Sequence, residues 1–116
     1  MDDCLFCKIA KGDIPSTRVY EDDKIYAFRD IDPQAPSHVL IIPKTHIGSL
    51  DEASEADAEL LSYLLLKVKD IAAQEGLENG YRVVINTGVD GGQTVHHLHI
   101  HLLGGKAMGW PPYAEA

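Results

Sequence analysis

The chain has 116 residues, 45% of them hydrophobic and 24% charged, and eighteen Asp and Glu against ten Lys and Arg leave a net charge of −8. That balance is globular, and the length suits one domain over residues 1–116 with one modest core. The acidic surface opposes non-specific nucleic-acid binding, no run approaches the roughly 18 apolar residues of a membrane span, and Met1-Asp2-Asp3 is unlike a secretory leader, so the expected setting is cytoplasmic, without nucleic acid or membrane as partner.

In chain order, Cys4 to Ala10 reads as a short helical turn closed by Lys11-Gly12. Thr17 to Glu21 and Ile25 to Arg29 read as strands joined by the polar turn Glu21-Asp22-Asp23-Lys24. Asp32-Pro33-Gln34-Ala35-Pro36 cannot continue a ladder, because proline has no N–H to donate. His38 to Pro43 is a continuous apolar run suited to a buried central strand. Ser54 opens the one long helix, with Asp57 placed as the return residue of a capping box and acidic residues crowding the first turn. Leu61, Leu64, Leu65, Val68, Ile71 and Ala72 recur at helical spacing as a core-facing stripe, and Gly76 is the expected stop. Tyr81 to Asn86 is a fourth strand, Gly88 to Gln93 a glycine-rich loop, and His96 to Leu103 a fifth strand. Trp110-Pro111-Pro112 stiffens the tail. The expected architecture is α+β: a five-stranded antiparallel sheet with the long helix on one face and a short N-terminal helix. Neither a G-x-G-x-x-G fingerprint nor a P-loop is present, so the common nucleotide folds are not indicated.

Three of the six histidines, His97, His99 and His101, stand on alternate residues, with Leu98, Ile100, Leu102 and Leu103 between and after them. On a strand this pattern puts the imidazoles on one face, about 7 Å apart, and the aliphatic side chains on the other. Imidazole serves as nucleophile, proton carrier or metal ligand near neutral pH. Three collinear positions converge poorly on a tetrahedral ion, so one of them joining ligands from elsewhere is easier geometry. The loop Gly88-Val89-Asp90-Gly91-Gly92-Gln93-Thr94 runs into this strand. Its glycines allow consecutive N–H groups to face an anion, Thr94 adds a hydroxyl, and the competing reading is an ordinary turn.

Cys4 and Cys7, the two cysteines of the chain, form a C-x-x-C that reads as metal or redox chemistry before a disulfide. The thioredoxin-like βαβ setting is absent, and the pair supplies two of the four ligands of a structural zinc. His46 and His97 are candidates for the others; His38 is less so, because it begins an apolar strand. Two packed thiols are the alternative. Asp30 ends a strand beside the proline loop, where a carboxylate pairs with ribose hydroxyls or is a solvated turn residue.

These residues resemble the histidine-triad (HIT) family. His97-Leu98-His99-Ile100-His101-Leu102-Leu103 matches its motif, His-φ-His-φ-His-φ-φ. Phe6-Cys7-Lys8-Ile9, Ala27-Phe28-Arg29-Asp30-Ile31, Pro33-Gln34-Ala35-Pro36, Ile42-Pro43-Lys44-Thr45-His46-Ile47 and Gly91-Gly92-Gln93-Thr94-Val95 follow in family order, so the likeness covers nearly the whole chain. The C-terminal Trp110-Pro111-Pro112 resembles the HINT branch, the purine nucleoside phosphoramidases, rather than the diadenosine polyphosphate hydrolases.

The resemblance implies a homodimer and a purine nucleotide pocket in each subunit. It makes His99 the nucleophile, flanked and oriented by His97 and by His101 near the leaving group. It gives Thr94, where the family usually has Ser, a bond to the phosphate, with Asn86 and the backbone of Gly92 and Gln93 nearby. Asp30 would bind the ribose, and Phe6, Ile9, Phe28 and Ile31 would wall the base. Cys4, Cys7, His46 and His97 would hold a structural zinc, with no catalytic metal required. His96 departs from the family's aromatic or aliphatic residue and points away from the triad face. The expected reaction is hydrolysis of a nucleoside 5′-phosphoramidate through a nucleotidyl-histidine. The alternatives are a dinucleoside polyphosphate hydrolase using the same histidines, and a nucleotide-binding or interaction module with incidental turnover.

Overall fold

A computed structural model describes residues 3–113. The first helix, α1, spans Leu5–Lys11, and Gly12 ends it at φ 85°, a left-handed conformation that glycine adopts without a Cβ penalty. The strands β1 (Arg18–Glu21), β2 (Ile25–Arg29) and β3 (Ser37–Pro43) follow. After two 3₁₀ turns come the long helix α2 (Ala58–Gln74), β4 (Tyr81–Val84), the single helical turn α3 (Gly88–Gly91) and β5 (Ile100–Gly104). All pairings are antiparallel, in the order β1-β2-β3-β5-β4.

The alternation of side chains splits the interior into two layers. On one face Ile25, Ala27, Val39, Ile41, Leu98, Ile100 and Leu102 pack against Leu64, Val68, Ile71 and Ala72 of α2. On the other, Tyr26, Phe28, Leu40 and Ile42 pack against Phe6 and Ile9 of α1. Every residue of β3 is buried, as its continuous apolar run requires, because both faces are covered. The short N-terminal helix is thus the lid of a second core.

Besides one-residue shifts at several ends, the boundaries differ from the sequence reading at four places, the first being β4, which ends at Val84 rather than Asn86 because no ladder pair to β5 extends past Val84–His101. Helix α2 starts at Ala58 rather than Ser54, because Glu55–Asp57 forms a 3₁₀ turn first. The cap is nonetheless the expected pair, with the Ser54 N–H donating to the Asp57 carboxylate at 2.9 Å. The glycine-rich loop contains the helical turn α3 rather than an open hairpin turn. The regular part of the last strand begins at Ile100, not His96. Its ladder to β3 ends at the pair Ile41–Ile100. Beyond that point Pro43 has no N–H, its carbonyl takes the His97 ring, and the Leu98 N–H goes to Ile47 O at 2.6 Å. The alternation of faces survives through Leu98 even though the ladder does not.

Candidate active site and metal centre

The hydrogen-bond partners of the histidines assign their tautomers. The Nδ1–H of His99 donates to the backbone carbonyl of His97 at 2.7 Å. A carbonyl only accepts, so the neutral ring keeps its proton on Nδ1 and leaves Nε2 with a bare lone pair. Phe6 presses edge-on against this ring, with centroids 5.0 Å apart. His101 lies 5.0 Å from it on the same face.

His101 is itself oriented from β3. Leu40 is its register partner, so His38 is the diagonal neighbour on the shared face. The Gln34 N–H donates to His38 Nδ1 at 3.0 Å, which places the His38 proton on Nε2. That N–H donates to His101 Nδ1 at 2.9 Å, and Asp30 Oδ2 stands 3.5 Å from the same nitrogen. The proton of a neutral His101 is then on Nε2. Both rings are held neutral: burial lowers the His38 pKa, and burial with His99 and His38 nearby lowers that of His101 to about 4. The sequence offers His38 only as a weaker zinc candidate, because it opens an apolar strand. Its signal was that same anomaly, since a polar ring in a fully buried strand needs a partner.

His97 sits differently from its neighbours. It is fully buried, and its Nε2–H donates to Pro43 O at 2.8 Å. Its Nδ1 faces Cys4 Sγ at 3.3 Å and Cys7 Sγ at 3.5 Å. Cys7 Sγ also lies 3.3 Å from His46 Nδ1. The donor atoms of Cys4, Cys7, His46 and His97 all lie within 4.8 Å of one another. A tetrahedral zinc with ordinary Zn–S and Zn–N bonds has S···N edges of about 3.6 Å. The three measured S···N separations lie close to that, and the Pro43 carbonyl is the outer partner that leaves His97 Nδ1 free to ligate. The cluster fits a structural zinc. Both His97 ring nitrogens thus face protein groups, and its backbone carbonyl accepts from the His99 ring.

The remaining expected residues are distributed around this centre. Asp30 lies between β2 and β3, with Oδ1 accepting from the Asp32 N–H at 2.8 Å. Phe6, Ile9 and Phe28 are buried beneath the triad face, whereas Ile31 is fully exposed beside Asp30. Asn86 is half-buried just past β4, and Thr94 is exposed. The N–H groups of Gly92 and Gln93 are taken by Val89 O and Gly88 O within the loop. The Gln93 amide holds the loop down, donating to Gly48 O at 2.7 Å and Val95 O at 3.0 Å. His96 is a surface residue paired with Glu52 at 2.7 Å, away from the triad face.

An α+β sheet that offers an unprotonated imidazole nitrogen beside a second, relayed imidazole is a scaffold for nucleophilic group transfer. The HIT domain model matches residues 11–108, and the chain belongs to the histidine-triad family. It is 60% identical to the 14 kDa zinc-binding protein of Zea mays, over 93% of this chain and 86% of that one. The crystal structure of a HIT family hydrolase from Legionella pneumophila Philadelphia 1 superposes with a TM-score of 0.93 at 57% identity, covering 95% of this chain and 99% of that one. A histidine triad nucleotide-binding protein from Candida albicans matches with a TM-score of 0.80 at 39% identity, over 97% and 85% of the two chains.

Proposed function

We propose that the protein hydrolyses purine nucleoside 5′-phosphoramidates to the nucleoside monophosphate and an amine. The observation that carries this is the pair of assigned tautomers: a bare Nε2 on His99 and an N–H at Nε2 of His101 on the same face. His99 Nε2 attacks the α-phosphorus, and the P–N bond breaks as His101 gives its Nε2 proton to the departing amine. The His38 N–H stays on His101 Nδ1 and holds the ring in place, and the water that attacks in the second step returns a proton to His101 Nε2. Water attacks the nucleotidyl-imidazole, restoring His99 and releasing the monophosphate. Asp30 binds the ribose hydroxyls, Phe6, Ile9, Phe28 and Ile31 flank the base, and Thr94 and Asn86 donate to the phosphate with the Gly92-Gln93 segment beside them. The names of the Legionella hydrolase and the Candida nucleotide-binding protein support a nucleotide substrate and a hydrolytic reaction.

Zinc held by Cys4, Cys7, His46 and His97 would be structural, its four ligands leaving no open position for substrate. A homodimer is supported by the edge position of β4, where Tyr81 and Val83 are exposed, and by the exposed Leu65 and Leu66 on α2.

The test is an assay with adenosine 5′-phosphoramidates of simple amines beside diadenosine polyphosphates. Faster turnover of the phosphoramidate and an AMP adduct on His99 by mass spectrometry are expected. His99→Ala should lose about 10⁴-fold or more in kcat/KM, as removal of a covalent nucleophile does. Turnover by His99→Ala equal to the wild type would refute the proposal, and preference for the polyphosphates would replace the substrate class.

A further inference from the structure

Glu75 follows α2 and turns its carboxylate back onto the sheet. Arg29 grips it with two parallel bonds, Nη1 to Oε1 at 2.7 Å and Nη2 to Oε2 at 2.9 Å. The Ser37 hydroxyl donates to Oε1 at 2.9 Å. Only 9% of the Glu75 side chain is exposed, so the carboxylate is sheltered by its three bonds, while the Arg29 guanidinium, on a side chain 46% exposed, closes the clamp from the surface. Arg29 ends β2 and Ser37 begins β3, so the carboxylate joins the two feet of the segment 30–36.

The next residue after each foot belongs to the site. Asp30 follows Arg29, and His38 follows Ser37. Successive residues of a strand face opposite sides, so Arg29 and Ser37 meet Glu75 behind the sheet while His38 meets His101 in front. A backbone bond from the Asp30 N–H to His38 O, at 3.1 Å, closes the same joint. Arg29 and Glu75 fix its spacing with a planar fork, which a point charge such as Lys does not reproduce.

We propose that Glu75, acting through Arg29 and Ser37, is a positioning residue for the Asp30–His38–His101 group. From the far face of the sheet it sets the separation of the ribose carboxylate and the relay histidine, and through His38 it sets the direction of the His101 N–H. The role rests on the phosphoramidase reading of that site. Misplacing a reacting group by about 1 Å can cost roughly 100-fold in rate, so a clamp two residues removed from substrate has leverage.

The test uses the full chain with Glu75→Leu and the double variant Arg29→Leu/Glu75→Leu. Two readouts are needed: kcat and KM for an adenosine 5′-phosphoramidate, and the ring-nitrogen NMR signals of His38 and His101 in the ligand-free protein. The double variant removes both charges, so neither is left without its partner, and a melting curve establishes that it is folded. Roughly 10-fold or greater loss of kcat is expected in the folded variants, with the ring nitrogens shifted from the single-tautomer pattern. A double variant as stable as the wild type, with unchanged kcat and ring-nitrogen signals, would overturn the clamp. If the wild type fails to turn over phosphoramidates, the function reading falls, but the ring-nitrogen comparison still decides whether Glu75 sets the His38–His101 geometry.

Discussion

The three triad histidines are equivalent in the sequence and unequal in the fold, and what separates them is the partner of each second nitrogen. A carbonyl behind His99, a carbonyl behind His97 and a histidine behind His101 give the three rings three different free faces. The relay member, His38, can therefore be tested alone. His38→Ala removes the donor that fixes the His101 tautomer but leaves His99 and its carbonyl partner in place. We expect kcat to fall about 10²-fold, the scale of a general acid–base contribution, while KM changes little; stopped steady-state assays of the two constants check this. Equal kcat in variant and wild type would mean that His101 finds its orientation without β3.

At the level of elements, α1 joins the metal cluster to the active face. Cys4 caps the helix by accepting from the Cys7 N–H at 3.4 Å, Cys7 lies one turn on, and Phe6 between them packs against His99. Cys7→Ser should abolish stoichiometric zinc by elemental analysis and lower the melting temperature, since a zinc held there would cross-link α1, the segment at His46 and the segment at His97. Full zinc content in that variant would remove Cys7 from the ligand set. This element also marks what was legible in the sequence. The meeting of Cys4, Cys7, His46 and His97 was readable because ligand count leaves few candidates in a chain with two cysteines, and the helix-on-sheet core followed from periods of 2 and 3.6, whereas the second layer under α1 did not. The late start of β5 was not readable, because it depends on which group takes the Pro43 carbonyl. Nor was the Arg29–Glu75–Ser37 clamp, whose members are 46 and 38 residues apart and carry no local period.

For the molecule as a whole, the desolvated pair His38 and His101 weakens the fold at acid pH. His38 is buried, His101 is half-buried, and both have pKa values lowered in the fold, His101 to about 4. The groups around them are His99, Asp30 and Asp32; Asp30 raises both values in part and Asp32 that of His38, and burial outweighs them. A lowered histidine pKa means that the folded chain favours the neutral ring more than the unfolded chain does. The associated stability is complete above the unfolded value of about 6.5 and is lost as pH falls from there to about 4, where His101 takes its proton in the fold as well. The linkage term for His101 is at most about 3 kcal/mol, reduced by its partial solvent access. A fall of several degrees in melting temperature between pH 7 and pH 4 is expected in the wild type. The double variant His38→Gln/His101→Gln lacks these protons and should show a shallower fall over the same range, measured at fixed salt and protein concentration. Parallel curves for the two proteins would place the acid sensitivity elsewhere. A phosphate bound beside His101 favours the charged ring, so a monophosphate should flatten the wild-type curve.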